Sequence, residues 1–577
     1  MHIALSRIVL IIWVIPVAQA IFTYNYLNTT YQPIYHTPGV GSIGYSGDPN
    51  GMMYRADTGL YHMFWQCKYD AYTSPTYWCH GSSPDLAKWT RLPVNTAMSF
   101  SGGATQLDDG DVKMMFKDVT KNAGFYTASP ANLTDPMLKV WVEAENATAF
   151  SGATDPSAGW KKADGGGYYA VAGEPGSAHL WESDENFENW NDTGRDLTTF
   201  TWDRDDSTPR DPNFWRDEES NLYVFEGGMK MAYFSGSDFY SIGTYDESSG
   251  TFEVVEDFHQ PLDFGGDVWA SETFLDKEGK AVTSAWILES DCEINAWPPP
   301  CEHVTDRGWF GIHSLPRTSK VETRFGSHRL VFEPHEGLKN LRTGELERLT
   351  VANGSPTTLS TKSRSFELLL NLPAGTSTVS ASVLASSSLS EYTKVGLQPS
   401  TSFPGELTAV SPTHKSLLTC GPAGNTTSSS PSTCLSTCSN FPSCTSWTFI
   451  PSLPQNCQLN CGSTLPILAS SSKSTFGNNL GRDPSLSTSG LLSPSWKYAY
   501  IDRSKSSTTS KPGKFPYATL VHSPTSLRIF VDVSVVELYV DGDVISSRVY
   551  PDDEHSEYVI VEGEGVKVEL NVMGSSF

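Results

Sequence analysis

Four acidic residues stand in short segments rich in small residues, proline and aromatic side chains. Asp48 lies in SGDPNGMMY, Asp155 in SGATDPSAGW, Asp211 in PRDPNFW and Glu272 in VWASETFL. Aromatic residues lie close to these segments in the chain, namely Trp78, Trp160, Phe214 and Trp269. Carboxylates hydrogen-bond the hydroxyl groups of a polyol, and aromatic faces cover its ring. Paired carboxyl groups also cleave glycosidic bonds, one as nucleophile and one as proton donor. Calcium binding is the structural alternative for such a cluster of oxygen ligands.

A repeat along the chain explains how the four acids could meet. Acidic turns followed by short aromatic or β-branched runs begin at Asp57, Asp108, Asp164, Asp217 and Asp276, at intervals of 51, 56, 53 and 59 residues. Five hairpin units at this period predict a five-bladed β-propeller with one four-stranded blade per repeat. The segment before each turn is then an innermost strand. We therefore expect the four acids on four blades, with Ser101 and Gly102 on the fifth, converging at one end of the axis.

The remainder of the chain predicts a second β domain. From about residue 335, RSFELLLNL and LRIFVDVSVVELYVDGD alternate with period two and contain an Asp-Gly turn, which is typical of a β-sandwich. We expect the propeller over residues 30–325 and the sandwich over residues 335–577. A stretch rich in Cys, Ser and Thr, residues 411–490, interrupts the sandwich.

The cysteines and the N-terminus indicate an oxidising compartment. Residues 1–20 combine a basic residue, a short apolar run and the ending Ala18-Gln19-Ala20, as a secretory signal peptide does. Six of the ten cysteines fall within the interrupting stretch. Their irregular spacing without interleaved histidine favours disulfides over a metal site. Cys67 and Cys79, and Cys292 and Cys301, are further candidate pairs. Asn-x-Ser/Thr sequons at Asn28, Asn132, Asn146, Asn191, Asn353 and Asn425 fit secretion.

Composition excludes some partners. The formal net charge of −25 disfavours nucleic acid and anionic membranes, since phosphate contacts need a basic surface. No stretch after the N-terminal segment is apolar and long enough to span a bilayer. The sequence leaves the oligomeric state open.

Ordered motifs over most of the chain resemble glycoside hydrolase family 32, which includes invertases, inulinases, levanases and fructosyltransferases. The family's Asn-Asp-Pro-Asn-Gly nucleophile motif is similar to residues 47–51, with Gly47 in place of the first Asn. Its Phe-Ser-Gly-Ser motif is similar to residues 100–103. Other similar segments are YSIGTYD, DFGGDVWASETF, SAWILESD, GWFGIHSLPR and LRIFVDVSVVELYVDGDVISSRVYP.

The resemblance implies a secreted retaining glycosidase that acts on terminal β-D-fructofuranosyl units of sucrose or fructans. The fold it implies is a five-bladed propeller followed by a β-sandwich. The nucleophile would be Asp48, and the implied activity needs no cofactor and no metal. Together with the aromatic residues near the inner segments, the candidate substrate-binding residues are Asn50, Gln66, Trp78, Phe100, Ser101, Thr154, Arg210 and Trp269. Sequence cannot separate sucrose from inulin or levan, or hydrolysis from fructosyl transfer.

The chain departs from the family at the acid/base motif. The family carries Arg-Asp-Pro on the third blade and Glu-Cys on the fourth. Here the third repeat holds Thr154-Asp155-Pro156, so we assign Asp155 as the aspartate that stabilises the transition state. Arg210-Asp211 then falls where Glu-Cys is expected. In the alternative register, Arg210-Asp211-Pro212 is the family triad and Glu226 the acid.

Three interpretations of the general acid follow. Asp211 could serve, although a neighbouring Arg210 guanidinium would oppose the protonated state that an acid requires. Glu272 could serve, since it adds a carboxyl group where the family often has Gln or Lys. In the third interpretation the acid is absent, and the protein binds sucrose or fructan with little turnover.

Overall fold

The computed structural model describes most of the chain, including all but one of the predicted inner segments in full. The described residues are 31–36, 44–68, 75–95, 99–118, 124–144, 152–199, 208–229, 237–265, 268–289, 309–324, 327–352, 355–399, 425–426, 444–449, 457–461, 475–478, 496–508 and 517–577. The candidate signal peptide and the Cys292–Cys301 pair lie outside these ranges.

Five antiparallel sheets form a five-bladed propeller, as the repeat predicts. Blade I contains β1 (Tyr45–Arg55), β2 (Leu60–Lys68), β3 (Tyr77–Ser83) and β4 (Thr90–Asn95). Blade II contains β5 (Gly102–Gln106), β6 (Val112–Lys117), β7 (Phe125–Pro130) and β8 (Trp141–Glu143). Blade III contains β9 (Trp160–Lys161), β10 (Tyr168–Glu174), β11 (Ser177–Glu182) and β12 (Asn191–Thr199). Blade IV contains β13 (Pro209–Asp217), β14 (Leu222–Met229), β15 (Ser237–Asp246) and β16 (Thr251–Pro261). Blade V contains β17 (Val268–Leu275), β18 (Ala281–Ile287), β19 (Ile312–His313), β20 (Arg317–Arg324) and β21 (Ser327–Pro334).

Each predicted acidic turn connects the first and second strands of its blade. The inner strand β1 contacts β5 on one side and β17 on the other, and β13 also contacts β17. The inner strands therefore meet around one axis. The last blade ends at Pro334, beyond the expected limit of residue 325.

A six-residue 3₁₀ helix, Glu336–Leu341, leads from the propeller into a two-sheet sandwich. One sheet has the order β22-β37-β24-β33-β34-β35, with strands β22 (Arg342–Thr350), β24 (Ser365–Asn371), β33 (Ser526–Asp532), β34 (Val535–Val540), β35 (Asp543–Arg548) and β37 (Lys567–Met573). The other has the order β23-β36-β25-β26-β31-β32, with strands β23 (Thr357–Thr358), β25 (Val379–Ala385), β26 (Thr393–Pro399), β31 (Trp496–Asp502), β32 (Tyr517–His522) and β36 (Tyr558–Glu562).

The predicted Asp-Gly turn joins β34 to β35. Asp541 and Gly542 have φ angles of 54° and 85°, the left-handed conformation that two-residue hairpin loops require. Side chains of both sheets fill the core between them, including Phe366 and Leu368 of the first sheet and Val379 and Val395 of the second.

Within residues 411–490 the structure describes four short strands, β27 (Asn425–Thr426), β28 (Cys444–Phe449), β29 (Cys457–Cys461) and β30 (Thr475–Asn478). They form a sheet of their own in the order β27-β29-β28-β30. The predicted Cys67–Cys79 disulfide is present and links β2 to β3. No helix in the described ranges has the length and apolar character needed to cross a membrane.

Buried ion pairs connect the sandwich to the propeller. Arg317 of blade V lies 2.8 Å from Asp263 and 3.6 Å from Glu537 of the sandwich. Arg548 of the sandwich lies 2.8 Å from Glu289, next to blade V. Because these charges are paired and hydrogen-bonded, their burial is tolerated.

Candidate active site

The inner strands of blades I, IV and V bend at the same position. Each has a β-bulge, between Ser46 and Pro49, between Arg210 and Asn213, and between Trp269 and Glu272. A bulge inserts one residue against its partner strand and turns the local side chains. The bends re-aim the residues at the start of each inner strand.

Left-handed backbone occurs in four of the five inner segments. Phe100, Asp155, Asp211 and Ala270 have φ angles of 54°, 53°, 47° and 51°. Such values are uncommon for residues other than glycine and often mark functional sites. Two of these strained positions carry predicted catalytic acids.

Asp48 is buried and held by two side-chain donors. Gln66 Nε2 donates to Asp48 Oδ2 at 2.6 Å, and Ser101 Oγ donates to the same oxygen at 2.8 Å. Asn50 Nδ2 donates to the Asp48 carbonyl oxygen at 2.8 Å. Burial and the charge of Asp155 raise the pKa of Asp48 to about 7, while the Ser101 hydrogen bond opposes the rise. The carboxyl group is thus oriented and supplied with donors for its ionised form.

Local packing explains Gly47, which stands where the nucleophile motif of the family has its first Asn. A Cβ atom at Gly47 would lie 1.9 Å from the Tyr45 hydroxyl oxygen. His313 Nε2 also lies 2.7 Å from the Gly47 carbonyl oxygen. Tyr45 therefore fills the space that an asparagine side chain would need.

Ser101 joins two of the acids across blades. Gln66 Nε2 donates to Ser101 Oγ at 3.1 Å, Ser101 Oγ donates to Asp48, and Asp211 also hydrogen-bonds Ser101. A hydroxyl has one proton and two lone pairs. The three contacts are all satisfied when one of the two carboxyl groups is protonated and donates to Ser101. Burial and the charges of Asp155 and Asp48 raise the pKa of Asp211 well above its usual value, against the opposing effect of the Ser101 hydrogen bond. The net direction favours Asp211 as the protonated partner.

Arg210 contacts blade III. Its Nη1 donates to Thr154 Oγ1 at 3.2 Å and lies 3.7 Å from Asp155 Oδ2. Thr154 Oγ1 donates in turn to Asp155 Oδ1 at 2.9 Å. Any lowering of the pKa of Asp211 by Arg210 is outweighed, because the net shift of that pKa is upward. The Arg210 guanidinium lies beside Asp155, while burial and the charges of Asp155 and Asp48 raise the pKa of Asp211.

The structure places Glu272 apart from the hydrogen bonds that join Asp48 and Asp211. Its Oε1 accepts the Met52 N–H of β1 at 3.1 Å. Its Oε2 is buried and has no hydrogen-bond partner among the described residues. Burial raises the pKa of Glu272 to about 8, against the opposing effect of the Met52 and Gly51 N–H groups.

The three predicted aromatic substrate contacts, Trp78, Phe100 and Trp269, differ in exposure. Trp78 is fully buried in the core between blades I and II, and its Nε1 donates to the Phe100 carbonyl oxygen at 2.7 Å. The prediction of Trp78 as a substrate-binding side chain is corrected accordingly, because no face of it is accessible. Phe100 is half-buried, and Trp269 is half-buried against a cluster that includes Tyr45.

The N-terminal domain model of Glycosyl hydrolases family 32 matches residues 41–334, and the family's C-terminal model matches residues 337–573. The chain belongs to glycosyl hydrolases family 32. Fructan 6-exohydrolase from Beta vulgaris is 26% identical over 367 residues, 55% of this chain and 56% of that protein. Acid beta-fructofuranosidase from Vicia faba is 27% identical over 350 residues, 53% of this chain and 52% of that protein. The chain thus spans about half the length of the curated relatives it matches.

Solved structures show the family 32 fold over nearly the whole chain. Fructan 1-exohydrolase IIa from Cichorium intybus superimposes with a TM-score of 0.66 at 20% identity and covers 95% of this chain and 98% of its own. Exo-inulinase from Aspergillus awamori gives 0.62 at 16% identity, with 96% and 100% covered.

Sequence reasoning did not single out one acid of this family 32 site. Asp238 on β15 is buried and accepts the backbone N–H of Ala270 at 3.2 Å and that of Ser271. Its charge contributes to the raised pKa of both Asp48 and Asp211. The adjoining YSIGTYD segment, already noted as similar to the family, was the available signal.

Glu226, the acid of the alternative register, is fully buried in blade IV. Trp215 Nε1 donates to its Oε1 at 2.9 Å, and Thr273 Oγ1 donates to its Oε2 at 2.7 Å. Both oxygens are occupied by protein donors.

Among the described residues, no group of three or more His, Cys, Asp or Glu side chains could hold a metal ion.

Proposed function

We propose that this family 32 protein is a secreted glycosidase that releases terminal β-D-fructofuranosyl units from sucrose or fructans with retention of configuration. The observation that carries the proposal is the Ser101 hydroxyl between Asp48 and Asp211, which suits one ionised and one protonated carboxyl group. A retaining glycosidase requires this pair of states.

In the first step, Asp48 Oδ attacks the anomeric carbon of the fructosyl unit. The bond to the leaving oxygen breaks, and Asp211 transfers its proton to that oxygen. In the second step, Asp211 takes a proton from water, whose oxygen displaces Asp48. The nucleophile returns as a carboxylate and Asp211 returns protonated, so the cycle closes.

Asp155 supports the proposal as the third acid. Its carboxylate binds ring hydroxyl groups more tightly as positive charge develops on the sugar. Arg210 and Thr154 orient this carboxylate from neighbouring blades. The guanidinium is directed to Asp155, and the net shift of the pKa of Asp211 remains upward.

The names of the relatives support the substrate class. Fructan exohydrolases and beta-fructofuranosidases are among them. The signal-like residues 1–20 and the Cys67–Cys79 disulfide support secretion.

A second candidate function is binding of sucrose or fructan without efficient turnover. It is favoured by Arg210-Asp211 at the position where the family resemblance predicts Glu-Cys. An aspartate is shorter than a glutamate, so its carboxyl group reaches less far from the strand.

Fructose release from sucrose, inulin and levan by the secreted protein separates the two candidates. Turnover that Asp48→Ala abolishes while leaving the unfolding temperature unchanged supports the enzyme. An inactive wild type that still binds fructan in a pull-down with insoluble polymer supports the binding protein. Activity retained by Asp48→Ala would refute the assignment of the nucleophile.

A further inference from the structure

Side-chain oxygens on the inner strands accept backbone N–H groups of the next blade. Asn50 Oδ1 accepts Gly102 N–H at 3.0 Å, from blade I to blade II. Thr105 Oγ1 accepts Gly159 N–H at 2.7 Å, from blade II to blade III. Asn213 Oδ1 accepts Thr273 N–H at 3.4 Å, from blade IV to blade V.

Glu272 makes the corresponding contact between the last blade and the first. Its Oε1 accepts Met52 N–H, four residues after Asp48 on the same strand. Every other pair of neighbouring blades is consecutive in the chain, whereas blades V and I are not. The interface between blades V and I, called the seam, is therefore closed by non-covalent contacts. Tyr45 and Phe310 form a parallel bridge across the same seam.

The Glu272 acceptor also constrains the backbone of strand β1, which carries Asp48. Met52 is buried, and the Gly51 N–H also contributes a hydrogen bond to Glu272. Gly51 and Met52 follow Asp48-Pro49-Asn50 directly and lie within a second register shift of β1, between Asn50 and Met53. A bulge lacks part of the normal ladder, so contacts from outside the sheet contribute to its geometry.

We propose that Glu272 is a positioning residue, which closes the propeller ring and holds the strand of the nucleophile Asp48 from the adjoining blade. The catalytic part rests on the proposed function, whereas ring closure does not. Glu272 thereby serves as the blade V counterpart of Asn50 and Asn213, which are neutral side chains with one acceptor oxygen used in the same way.

The decisive comparison is Glu272→Gln with Glu272→Ala. Glutamine retains the acceptor for Met52 N–H and places an amide group where the second oxygen lies. We expect Glu272→Gln to keep kcat on sucrose and fructan within about threefold of wild type. Glu272→Ala should lose about 10–10² in kcat with little change in KM, because small displacements of a reacting group cost rates of this order. It should also lower the unfolding temperature.

Thr105→Val is the matched control, since it removes the equivalent acceptor between blades II and III. It should lower the unfolding temperature while leaving kcat within about threefold of wild type. The proposal is overturned if Glu272→Gln loses about 10²–10⁴ in kcat, as a general acid would, or if Glu272→Ala keeps both kcat and the unfolding temperature. An inactive wild type would refute the proposed function. The unfolding temperatures of Glu272→Ala and Glu272→Gln would still test ring closure.

Discussion

Asp211→Asn tests the proton donor most directly. Asparagine can donate from Nδ2 to Ser101 as the protonated carboxyl group does, so the resting hydrogen bonds of Asp48 and Ser101 are kept. What the variant lacks is the transferable proton. We therefore expect a loss of about 10²–10⁴ in kcat/KM on sucrose or fructan. This corresponds to about 2.7–5.5 kcal/mol of transition-state stabilisation.

The structure also predicts what the substitution leaves unchanged. If Asp211 is already neutral in the free protein, replacing it removes no charge from beside Asp48. The acidic limb of the kcat/KM profile, which reports ionisation of Asp48, should then stay near the wild-type value of about 7. The alkaline limb, at which Asp211 loses its proton, should disappear. Both limbs of the wild type belong to the coupled pair.

The assay is kcat/KM over a pH series on sucrose and on β-fructofuranosyl fluoride, whose leaving group hardly needs protonation. The loss should be confined largely to sucrose, and Asp164→Asn on an exposed turn of blade III serves as the control. Equal losses on both substrates would refute Asp211 as the acid. A shift of the acidic limb to lower pH would show that Asp211 is ionised in the free protein.

Three further outcomes are expected. Burial raises the pKa of Glu226 from 4.5 to about 7. The unfolding free energy of the wild type should therefore fall as pH rises through this window. Denaturant titrations should show a smaller fall for Glu226→Gln. An equal fall in both proteins would contradict this, and a large loss of sucrose turnover would favour the alternative register. Deleting residues 411–490 should leave the unfolding temperature and any fructose release unchanged, because the described strands there pair only with one another. Loss of cooperative unfolding in calorimetry would contradict this expectation. Mass spectrometry of the secreted protein should find an N-terminus near Ile21 and a glycan on exposed Asn132, and a product that retains residues 1–20 without glycans would exclude secretion by this route.

The sequence by itself determined the architecture and most of the acid cluster. Turns at regular intervals require repeated hairpins, and the innermost strand of each hairpin unit must line the axis. The repeat alone places Asp48, Asp155 and Asp211 on different blades. The period-two pattern and the Asp541-Gly542 turn likewise determined the sandwich, since alternation specifies one buried face.

Only the tertiary structure decided what the individual side chains contact. The bulges at β1, β13 and β17 shift the register, so alternation along the chain does not tell which residues face the axis. Glu272, beside the bulge of β17, reaches the backbone of β1. Trp78 on β3 packs in the core, which its position in the chain does not reveal. The Ser101 hydroxyl between Asp48 and Asp211 joins residues 53 and more positions apart, and such long-range contacts leave no local pattern in the sequence.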